Sequence, residues 1–193
     1  MISYKWAAAT NQRIFFRMYV KGLLNMDWLR TILDGFMMSV YFNLATALWW
    51  LYNPMAFADC YPKPIKKLIK MPENAKKGKI IFSLFVILPV GVYGIVSAWN
   101  AGITGFGNLF WTCYIEWMLV NFGDFFGLDI YLRKRAGKKL ELPGTEGNIY
   151  YSDKYWLKSL GIPEHWLAWP LIICPLSAAA SAGIGLLIRM IFA

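Results

Sequence analysis

Apolar residues gather into four runs of about membrane length, at 32–52, 80–98, 109–131 and 170–192. A helix needs roughly 20 such residues to cross ~30 Å of hydrocarbon, so each run predicts a transmembrane helix. Two long polar stretches, 53–79 and 132–169, and one short uncharged link, 100–108, separate them. Before the first run the pattern changes. Arg13, Arg17 and Lys21 recur every four residues among Ile14, Phe15, Met18, Tyr19 and Leu23, which predicts an amphipathic helix lying in the membrane interface. The expected architecture is therefore an all-α, polytopic membrane protein: one membrane domain over 1–193, with four transmembrane helices and an N-terminal interfacial helix.

Local signals refine each run. Pro89 at the middle of the second run removes a backbone donor and predicts a kink over 85–89. Gly123 and Gly127 on the third run, and Ser177, Ser181 and Gly185 on the fourth, form small-residue faces that let helices approach closely. Asn43, midway along the first run, is expected to hydrogen-bond to another helix, while Thr31 or Asp34 is expected to cap its N-terminus. In the loops, Pro143-Gly144 suits the centre of a type II turn, and 152–161 reads as a short helix ended by Gly161.

Composition supports the class. The chain is 58% hydrophobic and only 16% charged, against about 25% charged for a soluble domain. The net charge of +9 does not point to nucleic acid, because the basic residues flank the apolar runs. Placing both long loops in the cytoplasm puts 14 of the 20 basic residues there, as the positive-inside rule favours. Both termini then lie outside. If the basic N-terminal helix instead sought the cytoplasmic leaflet, 32–52 would have to be re-entrant. The lysine-rich loop suits anionic lipid headgroups, and the expected location is the cytoplasmic membrane of a bacterium. Small-residue faces leave a homo-oligomer or a larger membrane complex open.

Polar chemistry concentrates in the third run, WTCYIEWMLVNFGDFFGLDIYL. Ionisable groups at membrane depth are costly, so each needs a partner, a water-filled cavity or a function. At 3.6 residues per turn Glu116 and Asp124 fall near one face, with Asn121 beside them and Asn43 as a partner from the first run. Asp129 points elsewhere and is expected to pair with Arg133 or a loop residue at the surface. His165, the single histidine, reads as an interfacial hydrogen-bonding residue. One histidine excludes histidine-rich di-iron sites and H-E-x-x-H zinc proteases. No Walker motif and no nucleophile elbow is present.

The pattern N-x-x-D-x-x-x-x-D followed by P-G-T-E, here Asn121, Asp124, Asp129 and Pro143 to Glu146, resembles small multi-pass bacterial membrane proteins of uncharacterised function. The likeness covers about 30 residues and carries no activity. It implies that Asp124, Asp129 and Glu146 share a site at the cytoplasmic mouth, where a divalent cation could bind through oxygen ligands; no other cofactor is expected. Three functions stay open. The first is binding or transport at an intramembrane acidic site built from Glu116, Asn121, Asp124 and Asn43. The second is an accessory subunit of a larger complex. The third is a lipid-modifying enzyme with a surface acidic site that includes Asp129, Glu146 and His165.

Overall fold

The computed structural model describes residues 27–70 and 75–192. The expected interfacial helix around Arg13, Arg17 and Lys21 lies outside them. The described residues are mostly helical, with no strand among them, so the fold is all-α. Three of their helices are long and apolar enough to cross a membrane. These are α1 (Trp28–Tyr52), most of α2 (75–100) and α4 (Asp153–Phe192). The fourth long helix, α3 (106–136), begins with Phe106–Gly123, carries the polar groups and packs against both α1 and α4.

The α1 and α3 backbones meet through glycines. A Cβ on Gly35 would lie 2.9 Å from Glu116 Cα, and one on Gly123 would overlap Ser39 Oγ and Asn43 Nδ2. Gly123 therefore serves α1 rather than α4, and Gly127 faces open space. On α4 the small face is packed as its sequence suggests: Ala178 and Ala182 are fully buried, and Gly185 sits against Leu109. Outward faces of α1, α2 and α4 expose large apolar side chains such as Phe36, Leu48, Phe85, Leu171 and Leu187.

α1 starts at Asp27, whose Oδ1 accepts from the Arg30 amide at 3.1 Å. Asp34 does not cap. Its carboxylate accepts from the Tyr93 hydroxyl at 2.8 Å and from Ser97 Oγ, and lies 3.4 Å from Arg30 Nε. In α2 the expected kink takes the form of a π-helical segment, Ser83–Ile87, just before Leu88-Pro89. Pro89 cannot donate to the Phe85 carbonyl four residues back. The Tyr41 hydroxyl does so instead, at 2.6 Å.

α4 runs unbroken through Gly161, Pro163, Pro170 and Pro175, so Gly161 is not the stop that its sequence context predicts. Wide i→i+5 turns over Glu164–Ile173 accommodate the prolines. The Cys174 amide bonds to Trp169 O, and the next such bond, from residue 175 to Pro170 O, is impossible because residue 175 is proline. Tyr114 supplies the missing donor at 3.2 Å.

The loops form a second layer on one end of the bundle. The 3₁₀ turn Pro54–Cys60, the short helix Lys63–Lys66 and the segment 137–151 pack around Trp50, Tyr61, Leu140, Leu142 and Trp156. The Tyr61 hydroxyl accepts from Trp50 Nε1 at 2.7 Å and donates to Leu140 O at 2.5 Å, and burial pushes its pKa upward. Gly144 at φ 81° and the 3.0 Å bond from Thr145 N to Leu142 O close the expected type II turn. A separate core around Met38, Phe42, Val90, Trp117, Val120 and Trp169 holds the bundle.

Candidate binding site between the bundle and the loop layer

A cavity of about 310 Å³ lies between the two cores. Its walls are mostly apolar and rich in aromatic rings, among them Phe42, Trp50, Tyr61, Phe82, Trp117, Trp156 and Trp169. Its acidic groups are Asp124, Asp129 and Glu164, with His165 beside them. Two π-helical segments position them: Asp124–Leu132 of α3 and Glu164–Ile173 of α4. In an i→i+5 winding, residues five apart stack one turn above the other. Asp124 and Asp129 therefore line the same cavity, although a 3.6-residue helix would splay them by about 140°.

Asp129 is buried, 6% exposed, and of the two expected kinds of partner its side chain takes not Arg133 but residues of the stretch 132–169, Trp156 and His165. Arg133 Nε bonds only to the Asp129 backbone carbonyl. Its guanidinium turns to Asp153 Oδ1 and Tyr151 O, both at 2.5 Å, and lies over the Trp156 ring. The Asp129 carboxylate is left to bundle partners: Oδ1 accepts from Trp156 Nε1 at 3.1 Å, and Oδ2 lies 3.3 Å from His165 Nε2. Gly161 allows this approach, since a Cβ there would sit 3.0 Å from Asp129 Oδ2 and 3.0 Å from Leu157 Cδ2.

His165 is buried, 4% exposed, and makes hydrogen bonds, as expected of it. Asn121 Nδ2 donates to the His165 backbone carbonyl at 3.0 Å, which leaves Asn121 Oδ1 to accept from His165 Nδ1 at 2.7 Å. With Nδ1 committed as a donor, Nε2 can face a carboxylate favourably only with a proton between them. Asn121, His165, Asp129 and Trp156 thus form a continuous run of buried polar contacts, in which the Asp129 Oδ2 to His165 Nε2 approach is an ion-pair contact rather than a formed hydrogen bond.

Asp124 is half-buried at the cavity and has no hydrogen-bond partner among the described residues. Cys60, the exposed cysteine, lines the same cavity. Desolvation there, reinforced by the Glu164 and Asp124 carboxylates against Lys66, pushes its thiol up to about 11. Thr46 also lines the cavity; it is 6% exposed, and its hydroxyl is buried without a partner. Among the described residues no group of three or more His, Cys, Asp or Glu side chains is arranged to hold a metal ion.

The remaining sequence candidates fall elsewhere. Glu116 lies eight residues before Asp124, about 12 Å along an α-helical axis. It is 1% exposed, and neither oxygen has a hydrogen-bond partner. Its surroundings are Gly35 and Gly94, toward the Arg30–Asp34–Ser97 group at the far end of the bundle. Asn43 bridges α1 to α3, as a mid-span amide should, through a 3.4 Å bond to Val120 O. Glu146 does not join Asp129 and His165. It is exposed, and its Oε1 accepts from the Gly144 amide at 3.0 Å within its own turn. That bond and its own backbone amide hold the carboxylate below the usual range. Glu164, Trp156, Thr46 and Cys60 carry no site signal that sequence reading detects. The five-residue spacing of Asp124 and Asp129 is the one trace of the winding that unites them.

Comparison with protein-family models, with curated proteins and with solved structures returned no match.

Proposed function

We propose that this is a four-span membrane protein that binds an amphiphilic molecule in the cavity between bundle and loop layer. The reading takes α3 as the fourth span and sets loops 53–79 and 132–169 on the cytoplasmic side of a bacterial membrane. The loops' basic residues would meet anionic headgroups there. The cavity carries the argument: an aromatic chamber at the level where the helices meet the loop layer, with its carboxylates grouped on α3 and α4. Mostly apolar walls with a few convergent polar groups characterise ligand sites. An acyl or other apolar chain would lie among Phe42, Phe82, Trp117 and Trp169, and the polar head would meet Asp124 and Glu164.

The test is native mass spectrometry of the protein purified in mild detergent, compared with the cavity-filling variant Ser177→Phe. The wild type should carry a bound amphiphile, and the folded variant should not. An empty wild-type protein, or equal retention by both, would refute the proposal.

The His165–Asp129 contact favours a second reading, in which the bound molecule is also modified. A histidine oriented by an amide and paired with a carboxylate suits general acid–base work on a hydroxyl or ester of the head group. Under that reading His165→Gln abolishes turnover but leaves amphiphile binding intact.

A further inference from the structure

We infer that the cavity selects amphiphiles whose head group carries a positively charged amine or ammonium; the inference rests on the amphiphile reading above. Three observations converge. First, the cavity lining contains three carboxylates and no lysine or arginine. Its one basic side chain, His165, is already engaged by Asp129 at 3.3 Å and by Asn121 at 2.7 Å. A phosphate, sulfate or carboxylate head inside the chamber would face Asp124 and Glu164 directly, whereas Lys66 lies outside the lining with its Nζ donating to the Asp59 carbonyl at 2.8 Å. Like charges at such contacts are unfavourable.

Second, the acceptors are unspent. Asp124 has no hydrogen-bond partner among the described residues, and the Thr46 hydroxyl, on a side chain 94% removed from solvent by its 6% exposure, is likewise unpartnered. A buried polar group without a partner is costly, and a head group that donates to Asp124 and Thr46 removes that cost. Third, the walls are rings. Trp50, Tyr61, Trp117, Trp156 and Trp169 surround the same space, and cation–π attraction to desolvated indole and phenol faces suits an ammonium group. Aromatic rings plus carboxylates discriminate by charge, whereas the apolar portion of the cavity discriminates only by chain length.

The experiment uses the full chain in dodecyl maltoside micelles and follows quenching of tryptophan fluorescence. Three brominated twelve-carbon probes of equal chain length are compared: one with a primary ammonium head, one with an uncharged hydroxyl head and one with a sulfate head. The ammonium probe should bind at least tenfold more tightly than the hydroxyl probe, and the sulfate probe more weakly than either. Asp124→Asn and, separately, Glu164→Gln should each reduce the ratio of ammonium to hydroxyl affinity at least threefold. Binding of all three wild-type probes with equal affinity would overturn the charge inference but leave the amphiphile site standing. Binding of none would overturn both. Comparison of the three probes on the wild type needs no variant to fold. Protection of Cys60 from alkylation by the bound ammonium probe locates the binding event, and absence of protection would count against this site.

Discussion

Replacing Asp129 with alanine removes one carboxylate and strands two donors. Trp156 Nε1, at 3.1 Å, loses its acceptor, and His165 Nε2, at 3.3 Å, faces an empty space in a site where both partners are less than a tenth exposed. Removing one member of a buried pair typically costs about 3–5 kcal/mol, because the remaining group stays desolvated and unpaired. An orphaned indole N–H adds about 1 kcal/mol or more. The expected loss for Asp129→Ala is therefore about 4–6 kcal/mol, a large share of the ~5–15 kcal/mol that holds a typical domain. His165→Ala should cost about 3–4 kcal/mol, since it also frees Asn121 Oδ1. The decisive quantity is the double variant. If the two side chains act as one network, removing both should cost about 2–3 kcal/mol less than the sum of the single losses. The assay is reversible unfolding in mixed micelles of dodecyl maltoside and dodecyl sulfate, followed by tryptophan fluorescence. Additivity within about 0.5 kcal/mol would show that the two residues are independent and would refute the network.

Other consequences are equally open to measurement. Glu116→Gln keeps the shape of a side chain whose oxygens have no partner; it should fold as well as the wild type or better, while Glu116→Lys should fail to accumulate in membranes. Cys60 should alkylate slowly at neutral pH, with a rate that climbs toward an inflection near 11. Asp124→Asn or Glu164→Gln should shift that inflection downward by removing a neighbouring negative charge, and an unchanged profile in both variants would count against their proximity. Tyr41→Phe should cost about 1 kcal/mol by leaving Phe85 O without its donor, and almost nothing in a Pro89→Ala background, where residue 89 regains its N–H. Gly123→Ala should displace α1, because its methyl would overlap Ser39 and Asn43; a destabilisation of about 1–3 kcal/mol is expected in the same unfolding assay.

Features that depend on local chemistry were legible in the chain. Apolar runs mark α1, α2 and α4, Pro89 marks the irregular stretch of α2, and Pro143-Gly144 marks its turn. Asn43 finds the helix–helix bond its position demands. The site was only half legible, for a geometrical reason. Periodicity at 3.6 residues per turn groups Glu116 with Asp124 and sends Asp129 to the surface, whereas the wide turns over Asp124–Leu132 bring Asp124 and Asp129 to one cavity and leave Glu116 behind. Likewise, Gly161 and three prolines in or near α4 read as punctuation. The helix runs through them, so His165 and Glu164 lie on a wall rather than in a loop. Glu146 looks like a third carboxylate in the sequence, but its own turn supplies its hydrogen bonds.

The continuity of α4 has a mechanical meaning. One rod carries Trp156 in the core of the loop layer, Glu164 and His165 at the cavity, and Ala178 and Ala182 at its seat against α3. A tilt about that seat would move the cavity wall and the loop layer together, so expansion of the chamber and displacement of the loop layer would be one motion. Occupancy of the chamber could then be sensed at the protein's surface without any separate signalling element.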